Sequence, residues 1–208
     1  MESFAHLHCH SFYSFYSGTI SPARLVQLAA ANDMPAIALT DHNGMYGTIQ
    51  FYKKANETGL KPILGVELLL EKKNRSSTVL LAKDYYGYTQ LCDLVSEFHI
   101  NKEFSLFSSL ERLYEEGRRK DNDCHFIILT NDFEIANVVS KYINRDHLYI
   151  EINPGVSEKV VSLVNLAEAI NRKVIITGNV YFEKRKDYAI HKLLRTIVEH
   201  RTLSSYSY

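Results

Sequence analysis

Ala5-His6-Leu7-His8-Cys9-His10-Ser11, followed downstream by Ala36-Ile37-Ala38-Leu39-Thr40-Asp41-His42-Asn43-Gly44 and by Ile63-Leu64-Gly65-Val66-Glu67, decides how the rest of the chain is read. In an extended strand the side chains alternate between faces, so the histidines at 6, 8 and 10 project to one side. Buried imidazole nitrogens need partners, and a metal ion satisfies several of them at once. The alternatives are an exposed polar strand face, or a polar cluster closed by hydrogen bonds with no ion in it. Ligands are favoured because Asp41 and His42 follow the apolar run Ala36–Leu39, and Glu67 follows a second apolar run. Ligand-type side chains thus stand at three successive strand ends.

Outward from these ends, the pattern alternates strand and helix. Residues 4–8 read as the first strand. Ser21 then caps a helix that opens with Pro22, runs to Asn32 and turns Leu25, Val26, Leu28 and Ala29 inward. The loop 14–20 joins the two. Ala36–Leu39 is a strand, 45–57 a helix ended by Gly59, 62–70 a strand, 72–77 a charged turn and Thr78–Ala82 a strand. Helices are predicted over 87–99 and 109–116, with 117–123 as a solvated charged loop. Strands Phe126–Thr130, Leu148–Ile152 and 174–178 then alternate with helices over 133–142, 158–171 and 188–199. Seven strand-like segments with helices between them predict a parallel sheet wound by right-handed crossovers, closed as a barrel or open and doubly wound. In either architecture the C-terminal strand ends share one mouth, where His8, His10, Asp41, His42 and Glu67 should converge.

Composition bounds the classes. A chain of 208 residues, 46% hydrophobic, suffices for one sizeable domain or two small ones. Lysine plus arginine and aspartate plus glutamate both number 24, so no net basic field is available for gripping long DNA. Cys9, Cys92 and Cys124 are odd in number and lack CxxC spacing, which points to a reducing, cytoplasmic compartment. No signal peptide or membrane-length apolar run is visible, so no membrane partner is expected.

The motifs themselves carry a resemblance. His8-Cys9-His10-Ser11, Thr40-Asp41-His42-Asn43-Gly44-Met45-Tyr46-Gly47 and Lys61-Pro62-Ile63-Leu64-Gly65-Val66-Glu67 resemble motifs of the polymerase and histidinol phosphatase (PHP) family. With Phe51-Tyr52-Lys53-Lys54-Ala55, Leu80-Leu81-Ala82-Lys83 and Leu91-Cys92-Asp93-Leu94-Val95-Ser96, nearly the whole chain is similar to the N-terminal domains of bacterial DNA polymerase III alpha subunits. The resemblance implies an α/β fold: a distorted (β/α)7 TIM-like barrel forming a single domain over 1–203, with 204–208 as a linker stub or tail. It also implies a mouth for up to three divalent metals, zinc or manganese, which some members use to hydrolyse phosphoesters. Residue by residue, it carries over His8, His10, His42 and Glu67 as ligands, and Asp41 as a group that orients a ligand or water.

Three positions depart from the family pattern. Ser17-Gly18 stands where an Asp usually precedes the glycine, Arg75-Ser76-Ser77 where a His is often found, and Asn179-Val180-Tyr181 where Asp-x-His is usual. His99, His125 and His147 offer no obvious substitute. One metal rather than a three-metal cluster is therefore expected. The implied function is a structural and partner-docking module of a replicative or error-prone polymerase. Its partners would be the polymerase core of the same parent chain and an exonuclease subunit, with DNA reached only through the parent. The alternative is a metal-dependent phosphoesterase, acting as a proofreading 3'-5' exonuclease or on a small phosphate ester. A zinc amidohydrolase ranks last, because no lysine or second HxH stands at the later strand ends.

Overall fold

The computed structural model describes residues 4–69 and 78–203. Six strands hydrogen-bond in sequence order in one curled sheet: β1 (Ala36–Leu39), β2 (Lys61–Leu68), β3 (Thr78–Ala82), β4 (Phe126–Thr130), β5 (Leu148–Ile152) and β6 (Lys173–Ile176). The helices are α1 (Pro22–Ala31), α2 (Thr48–Thr58), α3 (Tyr85–Ile100), α4 (Leu106–Asp121), α5 (Phe133–Val139), α6 (Val160–Ala169) and α7 (Tyr188–Val198). The result is a single α/β domain.

Local chemistry explains most boundaries. Ser21 caps α1 by accepting the Arg24 N–H at 3.1 Å, and Pro22 opens it with its φ already set. Gly59, at φ 71°, ends α2 in the left-handed region where a Cβ is penalised. Asp84 caps α3 through the Gly87 N–H at 2.8 Å. At Gly87 a Cβ would lie 1.9 Å from the His125 carbonyl oxygen, so only glycine lets α3 approach the start of β4 this closely.

The predicted all-parallel winding is corrected at β3, which runs antiparallel to both β2 and β4, while β1–β2, β4–β5 and β5–β6 are parallel. The segment between β2 and β3 is too short for the dozen or more residues that a parallel crossover needs. The predicted turn at 72–77, with Arg75-Ser76-Ser77, lies outside the described residues, as do residue 70 and the tail 204–208.

The first predicted strand, 4–8, is also corrected: it forms only isolated bridges, His6 with Ile37 and Cys9 with Val180. Ala38 N–H donates to His6 O and Thr40 N–H to Cys9 O, so three steps along the N-terminal segment oppose two along the other strand. That extra residue breaks the ladder, as a bulge does. On its other side the segment pairs with the chain beyond β6, through His10 N–H to Val180 O and Val180 N–H to His8 O.

The predicted charged loop 117–123 is mostly helix, because α4 continues to Asp121 and ends at Asn122 in the left-handed region. Pairs such as Arg112–Glu116, one helical turn apart, suit a solvated helix face as well as a loop. The last strand is shorter than predicted, ending at Ile176, and α6 starts later, after a 3-10 turn at Pro154–Lys159.

Two main apolar clusters hold the sheet. Phe51, Leu25, Val26, Ala29, Ile37 and Leu39 join α1 and α2 to β1. Leu80, Leu91, Leu94, Leu110, Leu113, Phe126 and Ile128 join α3 and α4 to β3 and β4. Each fully buried leucine, isoleucine, valine or phenylalanine among them contributes roughly 1.5–3 kcal/mol.

Candidate metal centre

His42 and Glu67 meet because β1 and β2 run parallel in register, so that His42, just past the end of β1, bridges Glu67 near the end of β2. Glu67 N–H donates to Asp41 O at 3.1 Å and Asn43 N–H to Glu67 O at 2.8 Å. Asn43, at φ 49°, turns the chain away in a conformation that asparagine tolerates. On the other flank, Thr40 Oγ1 accepts the Cys9 N–H at 3.1 Å, which fixes the segment carrying His8 and His10.

Of the predicted ligands, His8, His10 and Glu67 are buried and their ligand atoms lie within 4.8 Å of one another. His8 Nε2 and His10 Nε2 are each 3.4 Å from Glu67 Oε2, and His42 Nε2 is 2.9 Å from it. Two ligands about 2.1 Å from a tetrahedral ion stand about 3.4 Å apart. His8 Nε2 is also buried with no hydrogen-bond partner among the described residues, and it faces Glu67 Oε2 across 3.4 Å, which fits a pair shaped to share a cation. His6, expected on the same face, instead packs its ring against Gly178, since the extra residue in the N-terminal segment breaks the alternation.

Asp41 reaches the imidazoles through serines. It accepts from the Ser11 N–H and Ser11 Oγ, both at 2.7 Å, and from Ser14 Oγ at 2.6 Å. With its proton committed to Asp41, Ser14 Oγ accepts from the His42 N–H at 3.1 Å and from His10 Nδ1 at 3.2 Å. In the tautomer with its proton on Nδ1, His10 donates to Ser14 Oγ and turns the Nε2 lone pair toward the mouth, where Glu67 Oε2 and Asn179 Oδ1 lie. Burial, with His42 beside it, holds the His10 pKa well below the ordinary value, so the ring is neutral.

Asn179 and Tyr181, two of the residues that depart from the family pattern, face this same mouth. The Asn179 side-chain amide lies 3.1 Å from His10 Nε2. The Tyr181 ring stacks on His10 at 4.2 Å, with its hydroxyl 3.2 Å from His42 Nε2. Burial, reinforced by Glu67, pushes the Tyr181 phenol far above its ordinary pKa, so it offers no anionic oxygen. Ser17 is tied to α7: its carbonyl accepts from His191 Nδ1 at 2.7 Å and its hydroxyl from Arg195 at 3.2 Å. His99, His125 and His147 are engaged elsewhere, with Asn43 O, with Asp84 and Asp121, and with Lys83. All three cysteines are free, and the Cys9 thiol is buried in the apolar cluster beneath the site.

The sequence reading missed Glu151, a fully buried carboxylate on β5 whose Oε1 is 2.7 Å from His8 Nδ1. The signal was an acid inside the strand Leu148–Ile152, between two isoleucines. Burial lowers the His8 pKa, but Glu67 and Glu151 on either side outweigh it and push it up to about 10. Because this exceeds the ordinary value of 6.5, the stabilisation is complete below about pH 6.5 and is lost as pH rises through about 10. The metal-free protein should therefore melt at progressively lower temperature from pH 7 to pH 10. Circular dichroism melts in chelator check this, and a flat or rising profile contradicts the pairing.

The PHP domain family model matches residues 6–155. An error-prone DNA polymerase of Symbiobacterium thermophilum is 30% identical over 97% of this chain and 21% of its own length. The DNA polymerase III alpha subunit of Buchnera aphidicola from Acyrthosiphon pisum is 30% identical over 94% of this chain and 19% of its own length. That of Chlamydia trachomatis is 42% identical over 91% of this chain and 16% of its own length. The chain thus spans about a fifth of the length of the first of these relatives. Among solved structures, a candidate metal-dependent phosphoesterase of Bifidobacterium adolescentis superposes with a TM-score of 0.55 at 12% identity, over 88% of this chain and 89% of that one. PsfC of Pseudomonas syringae gives 0.51 at 16% identity, over 84% of this chain and 75% of that one. Both likenesses concern the fold alone.

Proposed function

The chain belongs to the PHP domain family and is homologous to the N-terminal region of DNA polymerase III alpha subunits, and from that premise we propose that it is a structural and partner-docking module of a polymerase that retains one divalent-metal position. The observation that carries this reading is the occupation of the mouth by Asn179 and Tyr181. Neutral side chains cap His10 and His42 where a multi-metal cluster needs a carboxylate and an imidazole. The buried His8 Nε2, without a hydrogen-bond partner among the described residues and 3.4 Å from Glu67 Oε2, supports the remaining position.

In this proposal His8, His10 and Glu67 hold the ion, His42 completes the set, and the ion is zinc or manganese. When bound, such an ion supplies Lewis acidity to a phosphoester oxygen and acidifies water. Asp41 is then a positioning residue: through Ser14 it holds the His10 ring and the His42 backbone. The pairing of 6–10 with both β1 and the chain beyond β6 supports closure of the six strands by a seventh segment into the distorted barrel. The domain would span 1–203, with 204–208 as a tail. Its partners would be the remainder of a polymerase chain and an exonuclease subunit, with DNA reached through the polymerase. Among the described residues no helix is long and apolar enough to cross a membrane, and a cytoplasmic place of action accords with the polymerase relatives.

Metal content tests this directly. The purified chain should carry about one zinc or manganese by mass spectrometry, and the His8→Ala plus His42→Ala variant should carry none. Hydrolysis of DNA 3' ends or p-nitrophenyl phosphate should be absent in both. Metal-dependent turnover lost in the variant would replace the docking reading by the phosphoesterase one.

A further inference from the structure

We propose that Glu151 is a positioning residue for the metal centre, holding the His8 ring so that Nε2 is delivered to the ion. None of the motifs at 8–11, 40–47 and 61–67 contains it; it is carried by β5. The inference rests on the metal reading above.

The geometry carries the argument. His8 and Glu151 are both fully buried, and His8 Nδ1 lies 2.7 Å from Glu151 Oε1, a charge-assisted hydrogen bond shielded from bulk solvent. A proton held on Nδ1 leaves Nε2 as the ligating nitrogen. Nε2 is the atom that lies 3.4 Å from Glu67 Oε2 and has no hydrogen-bond partner among the described residues.

Glu151 is itself held. Thr177 Oγ1 donates to Oε1 at 2.5 Å and Asn153 Nδ2 donates to Oε2 at 3.2 Å. Thr177 follows β6, and its N–H donates to Ile152 O at 3.0 Å, so the β5–β6 pairing fixes the donor that fixes the carboxylate. A carboxylate needed only to neutralise a buried histidine would be served by Glu67, already at hand. The second carboxylate, clamped by two donors on the opposite ring nitrogen, does what a lone counter-charge does not: it sets ring orientation and tautomer.

The test is Glu151→Gln, which keeps the shape of the side chain and removes the charge, titrated with cobalt(II) and with zinc after circular dichroism has shown the native fold. The wild type should bind about one ion, and the variant should bind it about 10–100-fold more weakly, with a shifted cobalt absorption band. A merely structural role would lower the melting temperature and leave the affinity and band of the folded variant unchanged. If Glu151→Gln does not fold, Thr177→Val, which removes one donor to Glu151 and leaves the carboxylate, should weaken cobalt binding several-fold. Affinity within about twofold of wild type and an unshifted band, in whichever variant folds, overturn the inference and leave the metal reading standing. A wild type that binds neither ion overturns both.

Discussion

Replacing Asn179 by Asp and Tyr181 by His together should raise the metal content of the purified chain from about one ion to about two. Asn179 sits at φ 45°, in the left-handed region that asparagine and aspartate both tolerate, so the exchange adds a charge without a change of backbone. Its side chain already lies 3.1 Å from His10 Nε2, and a carboxylate oxygen at that point is a ligand where a carboxamide is a poor one. Tyr181 blocks the same mouth, with its ring 4.2 Å from that of His10 and its hydroxyl against His42. A histidine is shorter than the phenol and brings a nitrogen where the hydroxyl only caps His42. Mass spectrometry of the two single variants and the double variant separates the contributions. Unchanged stoichiometry in a folded double variant would show that 179 and 181 are not ligand positions and that the resemblance fails there.

Glu67→Ala should be the most destabilising single change at the site, at about 3–5 kcal/mol near pH 7 in the metal-free protein, and it should abolish metal retention. Glu67 is buried, yet its pKa is held well below the ordinary carboxylate value. Burial opposes ionisation, but the imidazoles of His8 and His42 outweigh it. One oxygen serves three rings at 2.9–3.4 Å. Its removal leaves the His8 cation with Glu151 alone and opens a void among packed imidazoles. Urea unfolding with and without zinc measures both effects. A loss under about 1 kcal/mol, or full retention of the ion, would mean that Glu67 neither pairs nor ligates.

How much of this site was legible depended on whether a residue announces its neighbours locally. Asp41, His42 and Glu67 could be proposed from the sequence because each follows or ends an apolar strand run and parallel strands bring their C-terminal ends together, and His8 and His10 because their alternation puts two imidazoles on one side. The helix cap at Ser21 and the glycine end of α2 are likewise local, decided within four residues by hydrogen bonding and φ. Charge along α4 was misread because arginines and glutamates suit a solvated helix and a solvated loop equally.

The sequence by itself determined the α/β class, through short-range periodicity, the family, through its motifs, and His8, His10, Asp41, His42 and Glu67 as candidates for the mouth, through residue type and place in the chain. Tertiary structure alone decided that β3 runs antiparallel, that His6 leaves the cluster, and that Glu151 supports His8 from 143 residues away. It also decided that Asn179 and Tyr181 lie directly on His10 and His42. The reason is physical: a strand's period of two tells which side chains share a face, but strand direction, a one-residue bulge and the partner across the sheet are settled by long-range pairing and burial, which no local window contains.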